Sequence, residues 1–399
     1  MVPVVDRRRV TALYLLLKNL RKRRRRRIWV HPINQRRRQF GAFHHLVTEL
    51  RLDDDRHLKY FRMSAEQMDE LLSVVGPELA RQSTNYRAAI EPKQRLAITL
   101  RFLGTGESFS SLALQYRLGT STVSGSVHTT CRTIESQMLA MQFPKPTEDM
   151  WKVIAGKFWS KWNFPNCIGA IDGKHVNIVA PAHSGSMFFN YKKTFSIVLL
   201  ALVDADYKFT FIQVGDFGRA SDGGVFQNSI LGRGMEAKDL SVPADNPLPG
   251  SGVHGPMPYT MVADAAFPLK TYMMRPFPGS NIPRWRRIFN YRLSRARMVV
   301  ECAFGILSAR WRVLHTRLNM KPENADAVVM ATCILHNYLM TPSQNQTWLD
   351  EAEERGNVLP AVRNMGGNRG SREAYDVRER FCTFFCSPEG RVAWQDQMV

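Results

Sequence analysis

The sequence predicts an α/β domain preceded by an all-helical region, on three observations. Apolar residues before position 143 recur at helical spacing, whereas from residue 167 onward they gather into β-branched or alternating runs. Residues 141–147 are punctuated by proline, which pushes the residue before it out of the helical region and marks a boundary. At 399 residues, both parts have enough chain to bury a core.

The net charge of +20 is uneven, because residues 1–40 hold 14 Lys/Arg against one Asp. The densest run is Arg21, Lys22, Arg23, Arg24, Arg25, Arg26 and Arg27. Such a run repels itself and seeks phosphate or an import receptor, or else stays a solvated tail. Residues 10–20 are briefly apolar, but Lys18 interrupts them and no small-residue cleavage site follows, which argues against a signal peptide. No later run is long and charge-free enough to span a membrane. The six cysteines form no CxxC pair, so the sequence offers neither a disulfide framework nor a zinc module.

Phe43, Leu46, Val47 and Leu50 mark one amphipathic helix, and Met68, Leu71, Leu72 and Val75 mark another that opens on a Ser64 to Gln67 capping box. Gly76-Pro77 is expected to stop the second. A third begins at Pro92. Residues 108–118 and 121–134 then read as two short helices around Gly119, which is either a helix-turn-helix or an ordinary helical hairpin. In the first reading Val123, Val127, Cys131 and Ile134 face inward, while Thr122, Ser124, His128 and Arg132 reach outward to phosphates or base edges.

Beyond the boundary, Cys167-Ile-Gly-Ala-Ile-Asp172-Gly173 is a β-branched run with an acid inside it. The glycine that follows lets a backbone or ligand come close. Residues 195–203 form an unbroken apolar run, and Tyr207, Phe209 and Phe211 alternate with polar neighbours, giving hairpin-linked strands. A helix starts near Asp222, a Pro/Gly/Ser loop fills 240–258, and 259–264 is a fourth strand closed by Asp264. A basic connector carries Arg284, Arg286 and Arg287, and a helix over residues 292–314 holds Glu301 among apolar neighbours. Residues 322–340 form a core helix, and a polar stretch leads to a last helical segment.

Each acid alone has an ordinary explanation: Asp172 a strand-end acid, Asp264 a helix cap, Glu301 half of an ion pair with Arg297. Jointly they stand on the first strand, the fourth strand and a following helix, where an RNase H-like fold brings three carboxylates to one sheet edge. Hard oxygen ligands of this kind suit Mg²⁺ or Mn²⁺. Two such ions about 4 Å apart can clamp the attacking and leaving oxygens of a phosphoryl transfer.

The motifs Gly169-Ala-Ile-Asp172-Gly, Val203-Asp-Ala-Asp-Tyr207, Ser221-Asp-Gly-Gly-Val-Phe-Gln-Asn-Ser229, Ala263-Asp264-Ala-Ala-Phe267, Val300-Glu301-Cys-Ala-Phe-Gly305 and Ile334-Leu-His-Asn337 resemble a PIF/Harbinger-type DDE transposase. The resemblance covers residues 40–395. It implies an RNase H-like α/β domain, with a mixed five-stranded sheet and flanking helices, behind an all-α domain with a helix-turn-helix. Asp172, Asp264 and Glu301 take the places of the catalytic and metal-binding triad, with two ions per site and Asp222 behind it. The chain departs from the commonest pattern at Ala265-Ala266, where Ser-Gly is frequent, and at Cys302, where Arg is frequent.

The expected organisation is a basic arm over 1–39, a helical DNA-binding domain over 40–143, the DDE domain over 144–340, and a polar linker with a helical tail over 341–399. The expected activity is cutting at terminal inverted repeats and joining ends to target DNA. A domesticated DNA-binding descendant and a metal-dependent nuclease without strand transfer are the alternatives. Lys174, Arg284, Arg286, Arg287, Arg295 and Arg297 join the four helix-turn-helix residues as expected DNA contacts. Double-stranded DNA, a Myb-like element-encoded protein and further copies of the chain are the expected partners, with no membrane. The expected location is the nucleus with a cytoplasmic pool.

Overall fold

The computed structural model describes residue 14 and residues 30–83, 89–250, 255–340, 342–355, 359–362 and 370–398. The arginine-rich run 21–27 and Gly366-Gly367 lie outside them. Among the described residues before position 163 every regular element is helical. The principal ones are α1 (Asp54–Phe61), α2 (Ala65–Leu79), α3 (Pro92–Thr105), α4 (Phe109–Gln115), α5 (Thr120–Gln142) and α6 (Glu148–Trp162). The capping box at the start of α2 is present, with Ser64 and Gln67 satisfying each other's backbone N–H. Contrary to expectation, α2 runs through Gly76-Pro77 to Leu79. Pro77 deletes one bond near the helix end, but Ala80 still donates to the Gly76 carbonyl at 3.0 Å, so the last turn closes.

The sheet strands are β1 (Cys167–Asn177), β2 (Ser196–Val203) and β3 (Phe209–Phe217), then two-residue strands β4 (Asn246–Pro247) and β5 (Pro256–Met257), then β6 (Thr260–Val262) and β7 (Met273–Met274). β4 and β5 form their own ribbon; the others make one mixed five-stranded sheet in the order β3-β2-β1-β6-β7. β1 and β2 pair antiparallel with Asp172 opposite Ala201, whereas β1 and β6 pair parallel with Ala170 opposite Val262. The expected hairpin-linked trio and the later strand are thus present, flanked by helices. β7 is too short for any pattern to have announced it.

The remaining helices are α7 (Asp222–Asn228), α8 (Ile230–Ala237), α9 (Arg284–Arg310), α10 (Pro322–Tyr338), α11 (Pro342–Arg355) and α12 (Arg372–Cys386). α9 begins eight residues earlier than expected, capped by Pro283, and takes in the basic connector. Asn337 ties three parts together: its amide donates to the carbonyls of Gln142 on α5 (3.1 Å) and Phe209 on β3 (2.8 Å), and its oxygen accepts from the Phe209 N–H at 2.9 Å. Tyr338 donates to the Gln67 carbonyl on α2 at 2.9 Å. Among the described residues the larger of two apolar clusters runs from Phe43 to Phe385, so the proline-marked corner at 143–147 breaks the helix without dividing that cluster. No described helix is long and apolar enough to cross a membrane.

The segment beyond α10 is only partly the polar tail expected. Leu359 and Val362 are buried, and residues 359–362 lie along the edge of β1 that β6 leaves open. There the His175 N–H donates to the Pro360 carbonyl at 2.8 Å, and Lys174 bridges Ala361. α12 closes an aromatic cluster, with Phe381 and Phe385 against Phe164 at ring separations of 5.3 and 5.2 Å.

Candidate active site

Asp172 sits midway along β1 and is 4% exposed. One of its oxygens accepts the Gly173 N–H at 2.8 Å, and the other lies 2.7 Å from the Lys174 ammonium. Two residues apart on a strand, the Asp172 and Lys174 side chains share a face, which is why the pair forms. Lys174 is equally buried, and its ammonium stands 5.6 Å from the centre of the Phe304 ring on α9.

Asp264 follows β6, the strand beside β1, and the Ala266 N–H donates to its carboxylate at 2.8 Å. Asp222 opens α7. Phe226 of that helix packs on Phe267, three residues past Asp264, at 6.2 Å between ring centres, which holds the two acids at one place. Carboxylate oxygens of Asp172, Asp222 and Asp264 lie within 4.8 Å of one another.

Gly173 makes this convergence fit, since a Cβ added there would stand 2.1 Å from Asp222 Oδ1. That oxygen is buried and has no hydrogen-bond partner among the described residues. Burial first, then the charges of Asp172 and Asp264, push the Asp222 carboxyl up to about 9. Burial and the Asp172 charge likewise raise Asp264, against the lowering pull of the Ala266 N–H, Arg297 and Lys174. Three crowded carboxylates, one with an unclaimed buried oxygen, are a donor set that fits a hard divalent cation. Asp172, Asp222 and Asp264 are the residues that would hold it.

Glu301 is not in this cluster. Its carboxylate lies 2.6 Å from the Arg297 guanidinium one turn back on α9, the intrahelical pair that its spacing allowed, and it is partly exposed. Arg297, which also acts on Asp264, links it to the cluster. Asp222, expected behind the site, instead stands within it.

The expected DNA contacts are divided. Lys174 is not exposed for a phosphate; it is buried on Asp172, because the carboxylate needs a counter-charge once out of water. Lys174→Met is accordingly expected to destabilise the fold by about 3 kcal/mol at neutral pH, read from urea unfolding. His128 does not reach outward either: its ring stands edge-on to Phe109 at 5.7 Å, and burial lowers its basicity. Arg132 is exposed and donates to Asn324 at 2.6 Å, and Thr122 and Ser124 are half-buried. As expected, Val123, Val127, Cys131 and Ile134 are fully buried.

On α9, Arg284 pairs with Asp396 (2.6 Å), Arg286 pairs with Glu379 (2.7 Å), and Arg295 lies over the Trp394 ring (5.2 Å). The C-terminal segment therefore engages this face. Arg287 is exposed. Exposed ion pairs of this kind are worth about 0–1 kcal/mol, so a phosphate can replace either acid at little cost.

Sequence reasoning missed Lys174 as the partner of Asp172 and residues 359–362 as a cover for β1. The available signals were the two-residue spacing on a strand and an apolar island, Leu359-Pro-Ala-Val362, in a polar stretch.

The mixed sheet gathers three carboxylates, two of them buried, and residues 171–337 match the family described as DDE superfamily endonuclease. The chain is similar to Protein ALP1-like of Arabidopsis thaliana, 26% identical over 303 residues that span 73% of this chain and 72% of the relative. Protein Antagonist of Like Heterochromatin Protein 1 of the same plant is 26% identical over 302 residues, 72% of this chain and 74% of its own. The Homo sapiens protein named "Putative nuclease HARBI1" is 24% identical over 305 residues, 75% and 82% of the two chains. No solved structure matches the chain.

Proposed function

We propose that the chain is a Harbinger-type transposase with an RNase H-like catalytic domain, cutting DNA at terminal inverted repeats and joining the ends to target DNA. The observation that carries this reading is the meeting of Asp172, Asp222 and Asp264 within 4.8 Å, with one buried oxygen unclaimed. Mg²⁺ or Mn²⁺ held there, one ion or two, would polarise the phosphodiester and favour ionisation of the attacking hydroxyl. The aspartates fix where the reacting phosphate is presented, and the low-dielectric surroundings sharpen their field. Lys174 holds the Asp172 carboxylate in place through Oδ2. Arg297 faces a choice of anions, since an incoming DNA phosphate competes with Glu301 for its guanidinium. Glu301, once released, completes the catalytic set with Asp172 and Asp264.

Thr122, Ser124, Arg132, Arg287 and the exchangeable arginines of α9 supply phosphate contacts, with α4 and α5 as a helix-turn-helix and the basic arm as nuclear address. A Myb-like partner and a dimer or larger assembly belong to the same reading. A second reading, a metal-dependent nuclease without strand transfer, is favoured by the name of the human relative.

Products separate the two. Labelled inverted-repeat DNA incubated with the protein, Mg²⁺ and a plasmid should yield donor ends joined to the plasmid, and Asp172→Ala should yield neither cut nor joined DNA. Cut ends that never join would establish the nuclease reading. Cutting undiminished in Asp172→Ala would remove the site assignment.

A further inference from the structure

The β1–β2 connection carries a second constellation beside the carboxylates. Across residues 187–193, Met187, Phe189, Tyr191, Lys192 and Lys193 are exposed, while Phe188 and Asn190 between them are buried. The buried pair holds the shape. Phe188 packs edge-on to Phe217 at 5.1 Å. The Asn190 oxygen accepts the N–H groups of Lys192 (3.0 Å) and Thr194 (3.1 Å), and its amide donates to the Ser196 hydroxyl at 2.9 Å. Ser196 in turn meets His175 of β1 at 2.9 Å.

This network holds Lys193 at φ +61°, a left-handed conformation that a lysine adopts only when its surroundings impose it. The loop is thus a built platform that presents two aromatic rings and two ammonium groups to solvent. It also reaches back toward the acids: the Tyr191 hydroxyl donates to the Ala361 carbonyl at 3.0 Å, next to Lys174, and its ring lies 6.0 Å from His175. His175 is three residues past Asp172, about 10 Å along a strand, which is about three base steps of DNA.

We infer that residues 187–193 form a binding platform for unpaired DNA bases beside the cleaved phosphate. Phe189 and Tyr191 stack on bases, and Lys192 and Lys193 hold the intervening phosphates. In the free protein the Lys192 ammonium lies 5.7 Å from the Tyr191 ring centre, the place a stacked base with its phosphate would take. Aromatic faces interleaved with cations suit single strands, because every base has a stacking face and every linkage a charge. This inference rests on the proposed DNA chemistry of the neighbouring carboxylates.

The test uses the full chain and a duplex with a short single-stranded overhang carrying 2-aminopurine, with Ca²⁺ in the buffer. Wild-type protein should quench the fluorophore. Phe189→Ala with Tyr191→Ala should weaken overhang binding about 10-fold or more and abolish quenching, with blunt-duplex binding changed less than about twofold. Phe189→Leu with Tyr191→Leu, which retains apolar bulk, should lose quenching alike, so that loss of fold is not mistaken for loss of stacking. Lys192→Gln with Lys193→Gln should flatten the salt dependence by about 1.4 in log–log slope, two single-strand phosphates' worth. Mn²⁺ binding should be equal in all variants.

Quenching and overhang affinity unchanged in both ring variants would overturn the inference. Ring-dependent overhang binding by a wild-type protein that takes up no Mn²⁺ would uphold the platform and retire the catalytic reading.

Discussion

Asp222→Asn is expected to lower metal-dependent DNA cleavage by about 10³-fold while making the metal-free protein more stable by about 1–3 kcal/mol above pH 7. The two effects share one cause. Asp222 is buried, one of its oxygens has no partner, and two further carboxylates stand against it. Its pKa is raised to about 9, from about 3.9 in an unfolded chain. Between those values the folded protein holds a proton that the unfolded chain has lost, so this group's support for the fold is complete below about pH 4. It is lost as pH rises through about 9.

A divalent ion must displace that proton, so Mn²⁺ affinity should climb with pH, by up to tenfold per unit below 9. The asparagine variant should show neither the proton-linked affinity nor the fall in urea midpoint between pH 5 and 9. Glu301→Gln in the same Mn²⁺ titration should bind normally without DNA, since Glu301 is held by Arg297 rather than by the cluster. Wild-type-like cleavage by Asp222→Asn would return Asp222 to a supporting role.

What could be read beforehand follows from how each signal is written into the chain. The first three strands were legible because their apolar residues are contiguous or alternate strictly, and Asp172 stood out as the acid in such a run. β7 and residues 359–362 were not, because two to four residues carry no period; their place depends on β1 having an edge to cover. The helix of Glu301 was legible, but its side chain was not: Arg297 at i−4 and the cluster of Asp172, Asp222 and Asp264 were rival places for one carboxylate, and only geometry shows it paired with Arg297. His128 misled for a related reason. Helical periodicity placed it on the outer face, but α4 lays Phe109 over that face.

Gly173→Ala is the sharper test of the cluster, because it alters no charge and no ligand. A methyl group there would meet Asp222 Oδ1 at 2.1 Å and the Val362 side chain at 3.3 Å. The Val362 contact can be absorbed by a few tenths of an ångström. The carboxylate contact cannot, so α7 or the Asp222 rotamer must shift by about 1 Å, a displacement able to cost about 10²-fold in rate. β1 itself has no reason to unfold, since alanine is accepted in an extended backbone and Gly173 lies opposite Leu200 in a regular antiparallel ladder. The variant should therefore keep its urea midpoint within about 1 kcal/mol of wild type, lose Mn²⁺ affinity, and cut DNA about 10²-fold more slowly. If the assignment of Asp222 is correct, pairing the change with Asp222→Ala should add little to the loss in Asp222→Ala alone, because both act through one oxygen. Full additivity of the two would mean that Gly173 serves the reaction by another route, and that the crowding at 2.1 Å is incidental to it.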